Sequence, residues 1–267
     1  MDIVILGDGP LGRAIATACA ERSLTARVLG RPTGEASPAG DAPARARHDP
    51  ADLAGAAVVV EASRGDAVAS NLATALEAGC RRFVIATTAW EADRPRVARM
   101  LEEDGAAAVA AANLSVGMAL FARLVDAAVA LYGPVAAFDP YLVEWHRRGK
   151  MDRPSGTARA LAARIVGEHP RLRRVAEGPA AASDPEALEV VGIRAGANPG
   201  SHLVGFDAPG ESVELRHTSR DRSAYAAGAV AAVDWLTAAT RAGGIHSFDV
   251  VVDDLLAGSP EVAMATR

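Results

Sequence analysis

Apolar positions fall into two successive patterns along this chain. Up to about residue 113, short continuous apolar runs alternate with stretches of helical period. Ile3-Val4-Ile5-Leu6, Ala26-Arg27-Val28-Leu29, and the segments 56–61, 82–88 and 106–112 read as strands. Between them, Ala14, Ile15, Ala18 and Cys19 keep helical spacing, and 66–78 and 91–103 read as helices. Residues 32–55, rich in Pro, Gly, Ala and Asp, read as a loop with a short helix. Continuously apolar strands are those buried on both faces, so this half predicts a parallel sheet covered by helices.

Past Asn113 the pattern changes. It predicts a longer helix over 115–131, a strand over 138–145 and a helix over 155–168. Three alternating strands follow over 188–194, 202–206 and 212–217. Ala208-Pro209-Gly210-Glu211 forms the turn between the last two. A helix over 223–241 is expected to return to the first half. The expected division is 1–113 with 221–267 as one domain, and 114–220 as an α+β domain.

Composition narrows the function. The chain has 267 residues and a formal net charge of −5, so it has no global basic field suited to nucleic acid. No apolar run approaches the roughly 18 residues that would span a membrane. Cys19 and Cys80 lie in Ala-rich surroundings that resemble neither a disulfide framework nor a metal site. A reducing compartment, no metal and, since no basic leader precedes the first strand, a cytoplasmic location are expected.

Two stretches carry candidate chemistry. Gly7-Asp8-Gly9-Pro10-Leu11-Gly12 stands between a strand and a helix, the context of a dinucleotide-binding turn. Gly7 permits the turn, Gly9 lets the backbone approach a pyrophosphate, and Gly12 lets the helix pack on the strand. A carboxylate at the end of the second strand would bind the ribose of NAD. Gly30 and Arg31 stand there instead, which favours the 2′-phosphate of NADPH; Glu35 nearby leaves NADH possible. Thr87 and Thr88 fall at the sheet edge where ligands bind in such folds.

The second stretch is 144–158, which places His146, Arg147, Arg148, Lys150 and Arg153 within eight residues, opposed only by Asp152. Pro154-Ser155-Gly156-Thr157 then opens a helix whose N–H groups are expected to be free donors. A cationic loop leading into a helix start suits a small anionic ligand. Histidine can serve as proton donor near neutral pH, and a lysine lowers the cost of developing negative charge.

Together these motifs resemble the dihydrodipicolinate reductase family, also called 4-hydroxy-tetrahydrodipicolinate reductases. The family signature runs approximately Glu-x-His-His-x-x-Lys-x-Asp-x-Pro-Ser-Gly-Thr-Ala, and Glu144 to Ala158 follow it closely. Ala111 to Gly117, Ala86-Thr87-Thr88-Ala89, Ile193 to Gly196 and Arg216 to Arg222 also resemble family patterns. The resemblance implies a Rossmann-type parallel-sheet domain plus an α+β domain for substrate binding and oligomerisation, usually a homotetramer through the latter's sheet. It implies hydride transfer from NADPH or NADH to a cyclic, dicarboxylated imine or dihydropyridine in lysine and diaminopimelate synthesis. By motif position, His146 is the proton donor or acceptor and Lys150 a second acid. Ser155, Gly156 and Thr157 hold a substrate carboxylate, with Arg147 and Arg222 as further substrate contacts. Gly7 to Gly12, Arg31, Ala86, Thr87, Thr88, Ala111, Ala112, Asn113 and Leu114 line the cofactor.

The chain departs from the family in places. Arg147 replaces a second histidine, Gly149 stands where histidine is frequent, the glycine turn is one residue shorter, and Ala86 and Ala89 replace glycines. Two alternatives remain open: a paralogue reducing another cyclic imine or enamine carboxylate, and a non-catalytic nucleotide-binding protein.

Overall fold

A computed structural model describes residues 1–30, 48–176 and 184–258. The chain forms two compact units, Met1–Val116 with Arg222–Arg267, and Gly117–Asp221. The first opens with β1 (Asp2–Leu6), α1 (Pro10–Glu21), β2 (Thr25–Leu29) and the short α2 (Pro50–Leu53). It continues with β3 (Val58–Glu61), α3 (Val68–Glu77), β4 (Arg82–Ile85), α4 (Arg94–Glu103) and β5 (Ala107–Ala110). The second unit takes in α5 (Val116–Tyr132, from Gly117 on), β6 (Asp139–His146), α6 (Gly156–Glu168), β7 (Arg174–Ala176), β8 (Ala187–Arg194), β9 (Ser201–Ala208) and β10 (Glu211–Thr218). The chain then returns to the first unit through α7 (Ser223–Ala238), β11 (Gly244–Ser247) and α8 (Phe248–Leu256).

The first unit's sheet has the order β11-β5-β4-β3-β1-β2, with every pairing parallel. Ile3, Val4, Ile5 and Leu6 are all completely buried, as are Val58, Val59 and Val60. A strand buried on both faces needs apolar residues at every position, which is the pattern these runs show. Val4, Leu6, Val59, Phe83 and Ile85 pack with Leu72, Val97 and Leu101 of α3 and α4. The expected return helix is α7, whose approach is close: a Cβ at Gly228 would fall 1.6 Å from the Leu114 carbonyl oxygen. β11, which periodicity did not reveal, extends the sheet at the β5 edge, and the equally unexpected α8 follows it.

The second unit is a mixed sheet, β10-β9-β6-β8-β7. β6 pairs parallel with β8 and antiparallel with β9, and β9–β10 is the expected hairpin. One face buries Leu142, Leu188, Val190, Val204 and Phe206 against Val125 and Val129 of α5 and Leu161 and Ile165 of α6. The opposite face leaves Trp145, Val191 and Ile193 exposed. β7, a three-residue strand in a stretch read as irregular, was not expected. No described helix is long and apolar enough to cross a membrane.

β4 and β5 end earlier than the apolar runs suggested, at Ile85 and Ala110. The backbone leaves the β4 strand where Thr87 Oγ1 turns to the Glu61 carbonyl oxygen at 3.2 Å. Thr87, Thr88, Ala111 and Ala112 therefore sit in the loops beyond the strand ends.

Candidate active site

The strand order places β2 and β3 on opposite sides of β1, which makes the β1/β3 boundary the switch point where open parallel sheets bind ligands. A cleft of about 560 Å³ lies there, lined by Gly9, Pro10 and Leu11 after β1, residues 62–66 after β3, residues 86–89 after β4, and Arg222. The glycines divide by role. A Cβ at Gly7, whose φ is +116°, would stand 2.5 Å from the Ala62 carbonyl oxygen, and one at Gly12 would stand 1.9 Å from that of Gly7. Those two are required by the protein's own packing. A Cβ at Gly9 would meet nothing within 4 Å. Its missing side chain leaves room inside the cleft, as a closely approaching pyrophosphate demands. The residues present thus fit a dinucleotide.

Beneath the cleft lies Glu61, completely buried at the end of β3. Its carboxylate accepts from the Ser63 N–H (2.8 Å), Asn71 Nδ2 (2.8 Å), Thr87 Oγ1 (3.2 Å) and the Ser63 hydroxyl. Burial pushes its pKa up, and these donors oppose that shift. Glu61 joins the loops after β3 and β4 that carry Ser63 and Thr87 to the cleft. Ala111 and Ala112 line a smaller adjoining recess with Thr87 and Thr88. Asn113 Oδ1 accepts from the Ser115 N–H at 2.9 Å, and Leu114 is buried. Arg31 lies outside the described residues.

In the second unit, β6 delivers Glu144 and His146 to the same side, because residues two apart in a strand share a face. Glu144 is completely buried. Its Oε1 accepts from Arg194 Nη2 at 2.6 Å and from the Ser155 N–H at 2.9 Å. Its Oε2 faces His146 Nδ1 at 3.2 Å and His202 Nε2 at 3.9 Å. The His146 contact is at ion-pair distance, without regular hydrogen-bond angles. Burial alone would raise the Glu144 carboxyl, but His146, Ser155 and Arg194 outweigh it and hold the group well below the usual carboxylate range. His202 is pushed down to about 4, first by burial and then by the charge of His146, so its ring is neutral at pH 7. A Cβ at Gly200 would stand 3.0 Å from His146 Nε2, so glycine there gives that nitrogen its space.

Lys150 Nζ pairs with Asp152 at 2.7 Å. Burial raises the Asp152 carboxyl, but Lys150 and the Gly156 N–H bring it below its ordinary value. Ser155 is the N-cap of α6, its hydroxyl accepting from the Ala158 N–H at 3.1 Å. One expectation is corrected. The Ser155 N–H at the start of α6 is not a free donor, because it is given to Glu144 at 2.9 Å. A helix start that follows a strand carrying a carboxylate can satisfy a donor internally, and the space over Gly156 is open, where a Cβ would meet nothing within 4 Å.

The structure brings His146, Lys150, Arg147, Ser155, Gly156 and Thr157 onto one strand end, loop and helix start. Arg222, expected on the substrate, lines the cleft of the first unit. Glu144, Arg194, Gly200 and His202 were missed as site residues. Glu144 and Arg194 were visible inside quoted motifs, whereas nothing local marks His202 or Gly200. Glu144, His146 and His202 could each offer a metal-ligand atom within 4.8 Å of the others. The guanidinium on Glu144 and the cations around it suit proton handling better than a dication.

The family pattern described as dihydrodipicolinate reductase, C-terminus, matches residues 117–252. The 4-hydroxy-tetrahydrodipicolinate reductase of Halorhodospira halophila is 35% identical over 216 residues, 78% of this chain and 79% of its own. That of Chromobacterium violaceum is 34% identical, over 70% of each chain. The chain belongs to the 4-hydroxy-tetrahydrodipicolinate reductase family. A solved dipicolinate-bound dihydrodipicolinate reductase from Paenisporosarcina sp. TG-14 shares the fold with TM-score 0.68 at 17% identity, covering 92% of this chain and 97% of that one.

Two departures from other reductases of this family now have a shape. Ala89, in place of a family glycine, has φ +62°, a left-handed conformation that costs a residue with a side chain roughly 1–2 kcal/mol. Gly149 stands where a histidine is frequent, and Arg147 Nη1 lies 3.3 Å from where its Cβ would be. One guanidinium thus covers the place of a missing side chain as well as its own.

Proposed function

We propose that the chain reduces 4-hydroxy-tetrahydrodipicolinate to tetrahydrodipicolinate with a nicotinamide dinucleotide, in lysine and diaminopimelate synthesis. The observation that carries this reading furthest is the buried Glu144–His146 pair beside Lys150 and the start of α6. Substrate and product names differ by a hydroxyl, so one hydride and one proton enter and one water leaves. The dinucleotide, when bound by the first unit, supplies the hydride. The Glu144 carboxylate opposite Nδ1 keeps a proton on that nitrogen, leaving Nε2 of His146 as the atom that gives or takes the catalytic proton. Lys150, steadied by Asp152, offsets negative charge that develops on the ring. Arg147, Thr157 and the space over Gly156 receive substrate carboxylates. We assign Arg222 to the dinucleotide, since it lines the first unit's cleft.

Purified protein given enzymatically made substrate and either NADPH or NADH should oxidise the nicotinamide. His146→Ala should lower kcat by about 10²–10⁴-fold while leaving nucleotide affinity unchanged. Wild-type protein with no turnover on this substrate would move the assignment to a paralogue acting on another cyclic imine carboxylate. Arg147 and Gly149 motivate that second reading, because they alter the substrate loop. The exposed apolar face of the second sheet, with Trp145 37%, Val191 37% and Ile193 40% exposed, supports a homotetramer built through it. A monomer by light scattering would remove this part. The two buried free thiols, Cys19 and Cys80, suit the cytoplasm; disulfides in protein isolated under alkylating conditions would contradict that location.

A further inference from the structure

We propose that Asp8 sets the nucleotide preference of the first unit, accepting hydrogen bonds from the adenosine ribose hydroxyls of NADH and opposing the 2′-phosphate of NADPH. The inference rests on the dinucleotide reading of that unit and is independent of which substrate is reduced. In such sheets the ribose carboxylate comes from the end of β2. Here β2 ends at Leu29 and the next position is Gly30, which has no side chain to offer.

Asp8 fills the place from the neighbouring turn. Its Oδ2, Cγ and Cβ lie 3.4, 3.5 and 3.8 Å from where a Gly30 Cβ would stand. The position is held from two sides. The Gly7 N–H donates to the Leu29 carbonyl at 2.8 Å, tying the turn to the end of β2, and Arg13 Nε of α1 donates to the Asp8 carbonyl at 2.7 Å. The next residue, Gly9, borders the open part of the cleft. A carboxylate accepts but does not donate, so it complements two ribose hydroxyls and repels a phosphate at the same place. Arg31, the residue behind the NADPH expectation, follows Gly30 in the sequence and lies outside the described residues.

The test is fluorescence titration of full-length protein with NADH and with NADPH, for wild type, Asp8→Asn and Asp8→Ala. Both variants should bind NADH about tenfold more weakly, as expected for losing charge-assisted hydrogen bonds, with NADPH unchanged or tighter. The affinity ratio then moves about tenfold toward NADPH. Asp8 is exposed, so both variants should fold, and a thermal melt checks it. A ratio within twofold of wild type in both variants overturns the inference, even if both affinities fall together. Wild-type protein that binds neither nucleotide overturns the dinucleotide reading and this inference with it, which separates the two failures.

Discussion

The cleft of the first unit is bounded by backbone turns and small side chains, whereas the His146 cluster of the second unit is crowded with charge that is already paired. At Gly9 the first unit offers space where no protein atom lies within 4 Å of a Cβ. Around Glu144 nearly every direction is taken, by Arg194, Ser155, His146 and His202. A dinucleotide's anionic phosphates are met by backbone and helix dipole, so the binding site can be a vacancy with a fixed rim. Proton transfer needs a group held in one orientation, which in a buried place takes a carboxylate surrounded by donors and charged partners. The two units teach that a binding cleft tolerates emptiness, while a proton-handling cluster does not tolerate an unmatched charge.

Three measurements press on that contrast. The largest effect is expected for Glu144→Ala, which strands the Arg194 guanidinium and removes the carboxylate facing two histidines. It should cost about 3–5 kcal/mol in urea unfolding, as breaking one side of a buried ion pair does. A loss under 1 kcal/mol would mean the cluster is not the tightly matched element described.

Next comes pH. His202 is neutral when folded down to about pH 4, while the unfolded chain protonates it near 6.5. Between those values the unfolded state binds more protons, so stability is intact above 6.5 and falls as pH drops toward 4. The full window amounts to on the order of 3 kcal/mol. His202→Gln should flatten this part of the stability profile relative to wild type, and an unchanged slope would place the acid sensitivity elsewhere.

The smallest stability effects separate the glycines. Gly12→Ala should cost about 1–3 kcal/mol because its Cβ meets the Gly7 carbonyl oxygen. Gly9→Ala should change stability by less than about 0.5 kcal/mol. Nucleotide affinity should nevertheless fall at least about tenfold, since the new methyl occupies the ligand's space. Equal stability losses in both variants would erase the distinction between packing glycine and binding glycine.

Much of the first unit was legible because two-sided burial forces runs of apolar residues such as Ile3–Leu6, Val58–Val60 and Phe83–Ile85. The glycine turn was legible because its constraints are local. The signature from Glu144 to Ala158 was readable for the same reason: strand end, loop, N-cap and helix start are contiguous, and Ser155 caps as its residue type predicts. The Ser155 N–H at that helix start was misread as free, because its acceptor is the Glu144 side chain, and whether a side chain turns back is not written in spacing. β7 was missed because three residues carry too little period to register, and β11 because Ile245 is the one large apolar residue among its four.

The sequence by itself determined the class of the first unit, most of its strands and helices, the chemistry-bearing segment and the family, since each depends on residues close together along the chain. Tertiary structure alone decided that Gly200 and His202 join His146 and that the Asp8 carboxylate lies beside Gly30 at the end of β2. It also put Arg222 on the cleft of the first unit and made Arg147 cover the place beside Gly149. These depend on which strands become neighbours and on where side chains turn, and that is settled by packing over the whole unit.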